Sequence, residues 1–148
     1  MKTYELYLIQ EDIAKSYFGR EYLFFDLFAR FSESGSLSEK KVLYKQMMYI
    51  TKPLQVMKIH HKLEQALRVL GKYDRTHHTH THTLYTGAEY GEIMVKPHYI
   101  RMNTSGNVSM ETTFFEVLRK CELTFLAMDY ENTKYGWLNP LKQVRTYV

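Results

Sequence analysis

The side chains best suited to chemistry in this chain form one run, HHTHTHT, holding His77, His78, His80 and His82. On a strand, His78, His80 and His82 would share one face at period two, with Thr79, Thr81 and Thr83 on the other. Neighbouring imidazoles on one face can converge on zinc or nickel. The metal needs them neutral, so affinity would fall at acid pH. No cysteine or carboxylate in the run completes a four-ligand set, and the pattern predicts an exposed His/Thr strand face without a resident metal. Nucleophilic chemistry has less to stand on. No serine sits in a Gly-x-Ser-x-Gly elbow. The single cysteine, Cys121, falls at the end of a helical pattern, where the dipole raises a thiol's pKa, and is expected to be a small buried thiol. There is no Gly-x-Gly-x-x-Gly and no phosphate loop. The carboxylates Glu116, Asp129 and Glu131 are not paired by spacing. Nothing here asks for a cofactor, and the sequence points to a protein that is not an enzyme and has no small-molecule substrate.

The cations come next. Lys40, Lys41, Lys58, Lys62, Arg68, Lys72, Arg75, Arg119, Lys120, Lys142 and Arg145 could line up along a phosphate backbone. They are interleaved with acids, and the formal net charge is only +4. A solvated surface explains them, and direct nucleic-acid contact is not expected.

Recognition of another protein is the remaining class, and the stretch 10–31, QEDIAKSYFGREYLFFDLFARF, is where it points. Gly19 divides it. In the first piece, acidic residues occupy the first helical turn, where the dipole favours them. Ile13 and Tyr17 lie four apart and share a helix face. In the second, Phe24, Leu27, Phe28 and Phe31 follow the i, i+3, i+4, i+7 spacing of a core-facing stripe. Pattern alone leaves two roles open for Ile13 and Tyr17, the edge of the core or a contact surface. Phe18, close by, is expected to anchor its helix to the core.

The rest of the chain must hold these pieces in place. Residues 4–9 read as a short strand, apolar on both faces. Ser36 and Glu39 have capping-box spacing and start a helix to about Ile50, with Leu43, Met47 and Ile50 inward and Gln46 beside them. Pro53 interrupts it. Residues 54–70 carry the clearest helical periodicity, with Ile59, His60, Leu63 and Leu67 on the stripe, and Gly71 is expected to be the residue that closes the helix. His60 is expected to be a satisfied core histidine. Residues 75–85, 92–95 and 99–104 are rich in Thr, Tyr, Ile and Val and read as strands. Ser105-Gly106-Asn107 is a turn signal, a helix follows over 111–120, and 123–128 is a further strand-like run. This order predicts an α+β fold, one domain over residues 1–148, with a largely antiparallel sheet and helices packed on one face. A lone cysteine and no apolar leader fit the cytoplasm. No apolar run approaches the roughly 20 residues of a membrane span, so no membrane partner is expected.

Several runs, in order over nearly the whole chain, resemble the SirA family of sporulation inhibitors of replication in endospore-forming bacilli. They are Tyr17-Phe18-Gly19-Arg20-Glu21; Lys45-Gln46 with Tyr49-Ile50-Thr51 and Pro53; Glu111-Thr112 with the run from Phe114 to Lys120; Phe125-Leu126-Ala127-Met128-Asp129; and Tyr135-Gly136-Trp137-Leu138-Asn139-Pro140. The resemblance implies an inhibitor that binds domain I of the replication initiator DnaA and blocks new rounds of replication during sporulation, with no catalysis or cofactor. It implies that Ile13, Tyr17 and Gln46 lie at the interface. Position 13 departs from the family pattern, which carries an aromatic there. A DNA-binding regulator acting without DnaA is the alternative.

Overall fold

A computed structural model describes residues 1–105 and 108–141. Strand β1, Lys2–Leu8, is followed by helices α1, Glu11–Ser16, α2, Tyr22–Glu33, α3, Leu37–Ile50, and α4, Val56–Leu67. Then come strands β2, Lys72–Thr76, β3, Thr81–Thr86, β4, Glu89–Val95, and β5, Ile100–Thr104. Helix α5, Val108–Arg119, and strands β6, Phe125–Asp129, and β7, Lys134–Trp137, close the order. The seven strands form one sheet, β2-β3-β4-β5-β1-β6-β7, and every adjacent pair is antiparallel. The α+β expectation holds.

The helices, however, cover both faces of the sheet, where the sequence suggested one. Side chains alternate across a strand. On β1, Leu6 and Leu8 enter one core with Ile59, Leu63 and Leu67 of α4 and Phe114 and Leu118 of α5. Tyr7 and Ile9, the latter just beyond the strand, enter a second core with Phe24, Phe25 and Phe28 of α2 and Met47 of α3. Strand β6 divides in the same way: Phe125 and Ala127 face the first core, Leu126 and Met128 the second. A strand buried on both faces has no polar positions to alternate with, which is why residues 4–9 showed so little periodicity.

The histidine run differs most from expectation. Residues 77–80 are a turn between β2 and β3, with His80 at φ 54°, so the three imidazoles do not share a strand face. His82 is wholly buried rather than exposed. It shares a 2.7 Å hydrogen bond with His60 and another of 2.7 Å, through its other ring nitrogen, with the Tyr73 hydroxyl. Both nitrogens are therefore engaged, and neither has a lone pair to give a metal. Burial, with the nearby Arg75 charge, lowers the pKa of His60. Burial, then His60 and Arg75, pushes His82 down to about 3. His60 is buried in the core as the α4 stripe predicted, but it is only half satisfied: Nδ1 is bonded to His82, while Nε2 has no hydrogen-bond partner among the described residues.

Smaller points follow the same pattern. Ser36 caps α3 by accepting from the Glu39 N–H at 3.3 Å, as the spacing predicted. Gly71 is not a left-handed cap. It lies so close to β3 that a Cβ would come within 2.4 Å of the Tyr85 carbonyl oxygen. Cys121 is buried, which raises its thiol pKa. Four arginines of the described residues are paired: Arg68 and Arg75 with Glu64, Arg101 with Glu5, and Arg119 with Glu116. Gly106, Asn107, Lys142 and Arg145 lie outside the described residues.

Candidate partner-binding site

The short helix α1 starts with Glu11 and Asp12 in its first turn, which suits the dipole, and has no side-chain cap. It ends at Tyr17, whose N–H donates to the Ile13 carbonyl at 3.1 Å. The chain then reverses through Gly19 at φ +83°, a left-handed conformation that costs other residues roughly 1–2 kcal/mol. The Arg20 N–H donates to the Tyr17 carbonyl at 2.7 Å and closes the reversal.

The reversal is pinned from the far edge of the sheet. Glu21 Oε1 accepts from the Gly19 N–H at 3.1 Å and from Trp137 Nε1 of β7 at 3.2 Å. Partial burial opposes ionisation of Glu21. Its own backbone N–H, Trp137 and Gly19 outweigh that and hold its pKa below the usual value. Trp137 also meets Phe24 edge-on, and Tyr17 stacks on Phe24 with centroids 5.2 Å apart and planes 9° from parallel. The Arg20 guanidinium lies 4.9 Å above the Tyr17 ring and donates to the Ser16 carbonyl at 2.8 Å. The Tyr17 ring is thus fixed from below by an aromatic, while 36% of the residue stays exposed.

Helix α3 supplies the opposite wall. Gln10 ties the start of α1 to the end of α3: its N–H donates to the Ile50 carbonyl at 2.9 Å and its side-chain amide to the Tyr49 carbonyl at 2.8 Å. Between these walls runs a groove of about 510 Å³, lined by Ile13, Ser16, Tyr17, Leu23, Phe24, Leu27, Lys45, Gln46, Tyr49 and Ile50. All three residues singled out by the family resemblance are on its walls. Ile13 is half-buried and also packs on the second core. The two roles left open by pattern are therefore both filled: Ile13 edges the core and lines the groove. Gln46 is exposed, and its amide makes no hydrogen bond within the protein among the described residues. It can both donate to and accept from a partner. Phe18, expected in the core, is 41% exposed instead.

Sequence reasoning missed Leu23 and Tyr49. Leu23 falls off the stripe of α2, and Tyr49 is 77% exposed at the outer end of α3. A signal existed for the second: Gln46 and Tyr49 are three apart and so neighbours on one helix face. Val42 and Tyr44 are exposed on the same helix, which makes its outer surface more apolar than a solvated face requires.

Among the described residues no histidine, cysteine or carboxylate lines the groove. Fold and groove together define a class: an α+β protein with helices on both faces of one antiparallel sheet and an apolar groove between α1 and α3. The chain belongs to the family described as sporulation inhibitor of replication protein SirA, whose model matches residues 2–142. It is 38% identical over 143 residues to the sporulation inhibitor of replication protein SirA of Bacillus subtilis (strain 168), covering 96% of each chain. Among the described residues no helix is long and apolar enough to cross a membrane.

Proposed function

We propose that this protein acts in the cytoplasm during sporulation as an inhibitor of replication initiation, by binding domain I of the initiator DnaA in the groove between α1 and α3. The observation that supports this best is convergence. Ile13 and Tyr17 come from one part of the chain and Gln46 from another, and they meet on one apolar groove. In this reading Tyr17 is the hot spot: a large, pre-positioned ring that loses no further freedom on binding. Ile13 keeps the groove wall apolar where the family pattern has an aromatic, and Gln46 satisfies polar groups on the partner. Occupying a surface that DnaA needs for its own contacts would inhibit without chemistry. In this reading the protein needs no cofactor, no small molecule and no contact with DNA.

The test is calorimetric titration of the purified protein with isolated DnaA domain I, beside the Tyr17→Ala variant. One-to-one binding by the native protein is expected. The variant, folded by circular dichroism, should lose roughly 2 kcal/mol or more, about thirtyfold in affinity. Unchanged affinity would remove Tyr17 from the site. Affinity for duplex DNA that falls steeply with salt and ignores Tyr17 would favour a DNA-binding regulator instead.

A further inference from the structure

Tyr49 stands apart among the aromatic residues of the groove. It is 77% exposed, and its side chain has no hydrogen bond or ring contact among the described residues. Tyr17, across the groove, is held by Phe24 and Arg20. Yet Tyr49 is not on a loose segment: its carbonyl is fixed by Gln10 at 2.8 Å, and it lies within the last turn of a capped helix. The backbone of Tyr49 thus helps to tie α3 to α1, while its side chain, uncovered at the mouth of an apolar groove, makes no hydrogen bond or ring contact among the described residues. A tyrosine so placed brings a large contact area for the loss of only two side-chain torsions on binding. The charges at the groove are equally one-sided. Lys45 lines it and Arg20 covers its Tyr17 edge, and neither forms an ion pair among the described residues. Among the described residues no carboxylate lines the groove to neutralise them.

We infer that Tyr49 is a second aromatic anchor of this groove, and that the protein surface entering it carries apolar side chains bordered by a carboxylate that pairs with Lys45. The inference rests on the groove being the binding site for DnaA domain I, and it adds the residue and charge that set which surface fits. Tyr17 and Tyr49 would close on the apolar side chains from opposite walls, excluding water from Gln46, one turn from Tyr49 on α3, and strengthening its hydrogen bonds. The Lys45 pair at the rim would act mainly on encounter rate and on discrimination against basic surfaces.

The experiment uses the full chain and domain I of DnaA, with Tyr17→Ala, Tyr49→Ala, Tyr49→Phe and Lys45→Glu compared by calorimetry. Tyr49 and Lys45 are exposed, so all three of their variants should melt like the native protein. Tyr49→Ala should weaken binding about tenfold or more, while Tyr49→Phe, which keeps the ring, stays within about threefold. Lys45→Glu should weaken binding about tenfold at low salt, with the difference shrinking at roughly 0.5 M salt. Native affinity in Tyr49→Ala and Lys45→Glu, beside lost affinity in Tyr17→Ala, would overturn this inference alone. A native protein that does not bind domain I would overturn it together with the function on which it rests.

Discussion

The two helical layers of this protein face the same sheet and differ in where their exposed apolar side chains fall: Met57 and Val108 stand singly on α4 and α5, while Tyr17, Leu23 and Tyr49 of the other layer gather around one groove. Over one face, α4 and α5 bury Ile59, Leu63, Leu67, Phe114 and Leu118 completely, and even the polar His60 and His82 are enclosed and paired. Over the other, α1, α2 and α3 bury Phe24, Phe28 and Met47 but leave Tyr17, Leu23 and Tyr49 around an open groove. Elementary burial thermodynamics would favour closing both layers. The difference fits a division of labour. Under the proposed function, one layer holds the sheet in shape and the other presents side chains outward to a partner. Trp137 and Glu21 are the link, since they carry the order of the sheet edge to the reversal that sets Tyr17.

The largest expected effect that would break this contrast lies in the closed layer. Phe114→Ala should cost about 3–5 kcal/mol in urea unfolding, the usual loss for a fully buried phenylalanine. It should change affinity for domain I little in whatever fraction remains folded. A loss of affinity with native stability would mean that the layers share the binding role.

The buried histidines sharpen the contrast through pH. His82 has a folded pKa of about 3, below its ordinary value of 6.5. Below pH 6.5 the unfolded chain binds more protons than the folded one. Stability should therefore be full above that pH and decline as the pH falls toward 3, at up to about 1.4 kcal/mol per pH unit for each such histidine. His60, lowered in the same direction, adds to the slope. Unfolding curves between pH 7 and pH 4 would measure it, and His82→Phe should flatten it. A slope unaltered in that variant would place the acid sensitivity elsewhere.

A smaller effect is expected at the link. Trp137→Phe keeps an aromatic against Phe24 and removes the donor to Glu21. It should cost about 0.5–1.5 kcal/mol of stability and weaken binding by loosening Tyr17, although Trp137 does not line the groove. Loss of stability without loss of affinity would separate the reversal from the site.

Local chemistry was the legible part of the sequence. The Ser36–Glu39 cap, the stripe of α4 and the shared face of Ile13 and Tyr17 follow from spacing, because helix geometry fixes which residues are neighbours. The arrangement of layers was not legible. Periodicity tells which side of an element is apolar, not what lies opposite, and strands such as β6, whose first four residues are all apolar, give no direction. The histidine run misled for a different reason. Its turn contains no Gly, Pro or Asn, and His80 takes the left-handed conformation instead. Histidine is also ambiguous about burial, so only the meeting of β3 with α4 reveals that His82 belongs inside. Tyr49 was hidden because an exposed tyrosine carries meaning only beside the groove it borders.

The most direct test of the division between layers is nuclear magnetic resonance of the isotope-labelled chain titrated with unlabelled DnaA domain I. Backbone signals should shift over α1, the reversal at Gly19, the start of α2 and the second half of α3, while α4, α5 and the strands beneath them stay still. Shifts centred on α4 and α5, with the groove unaffected, would contradict the account.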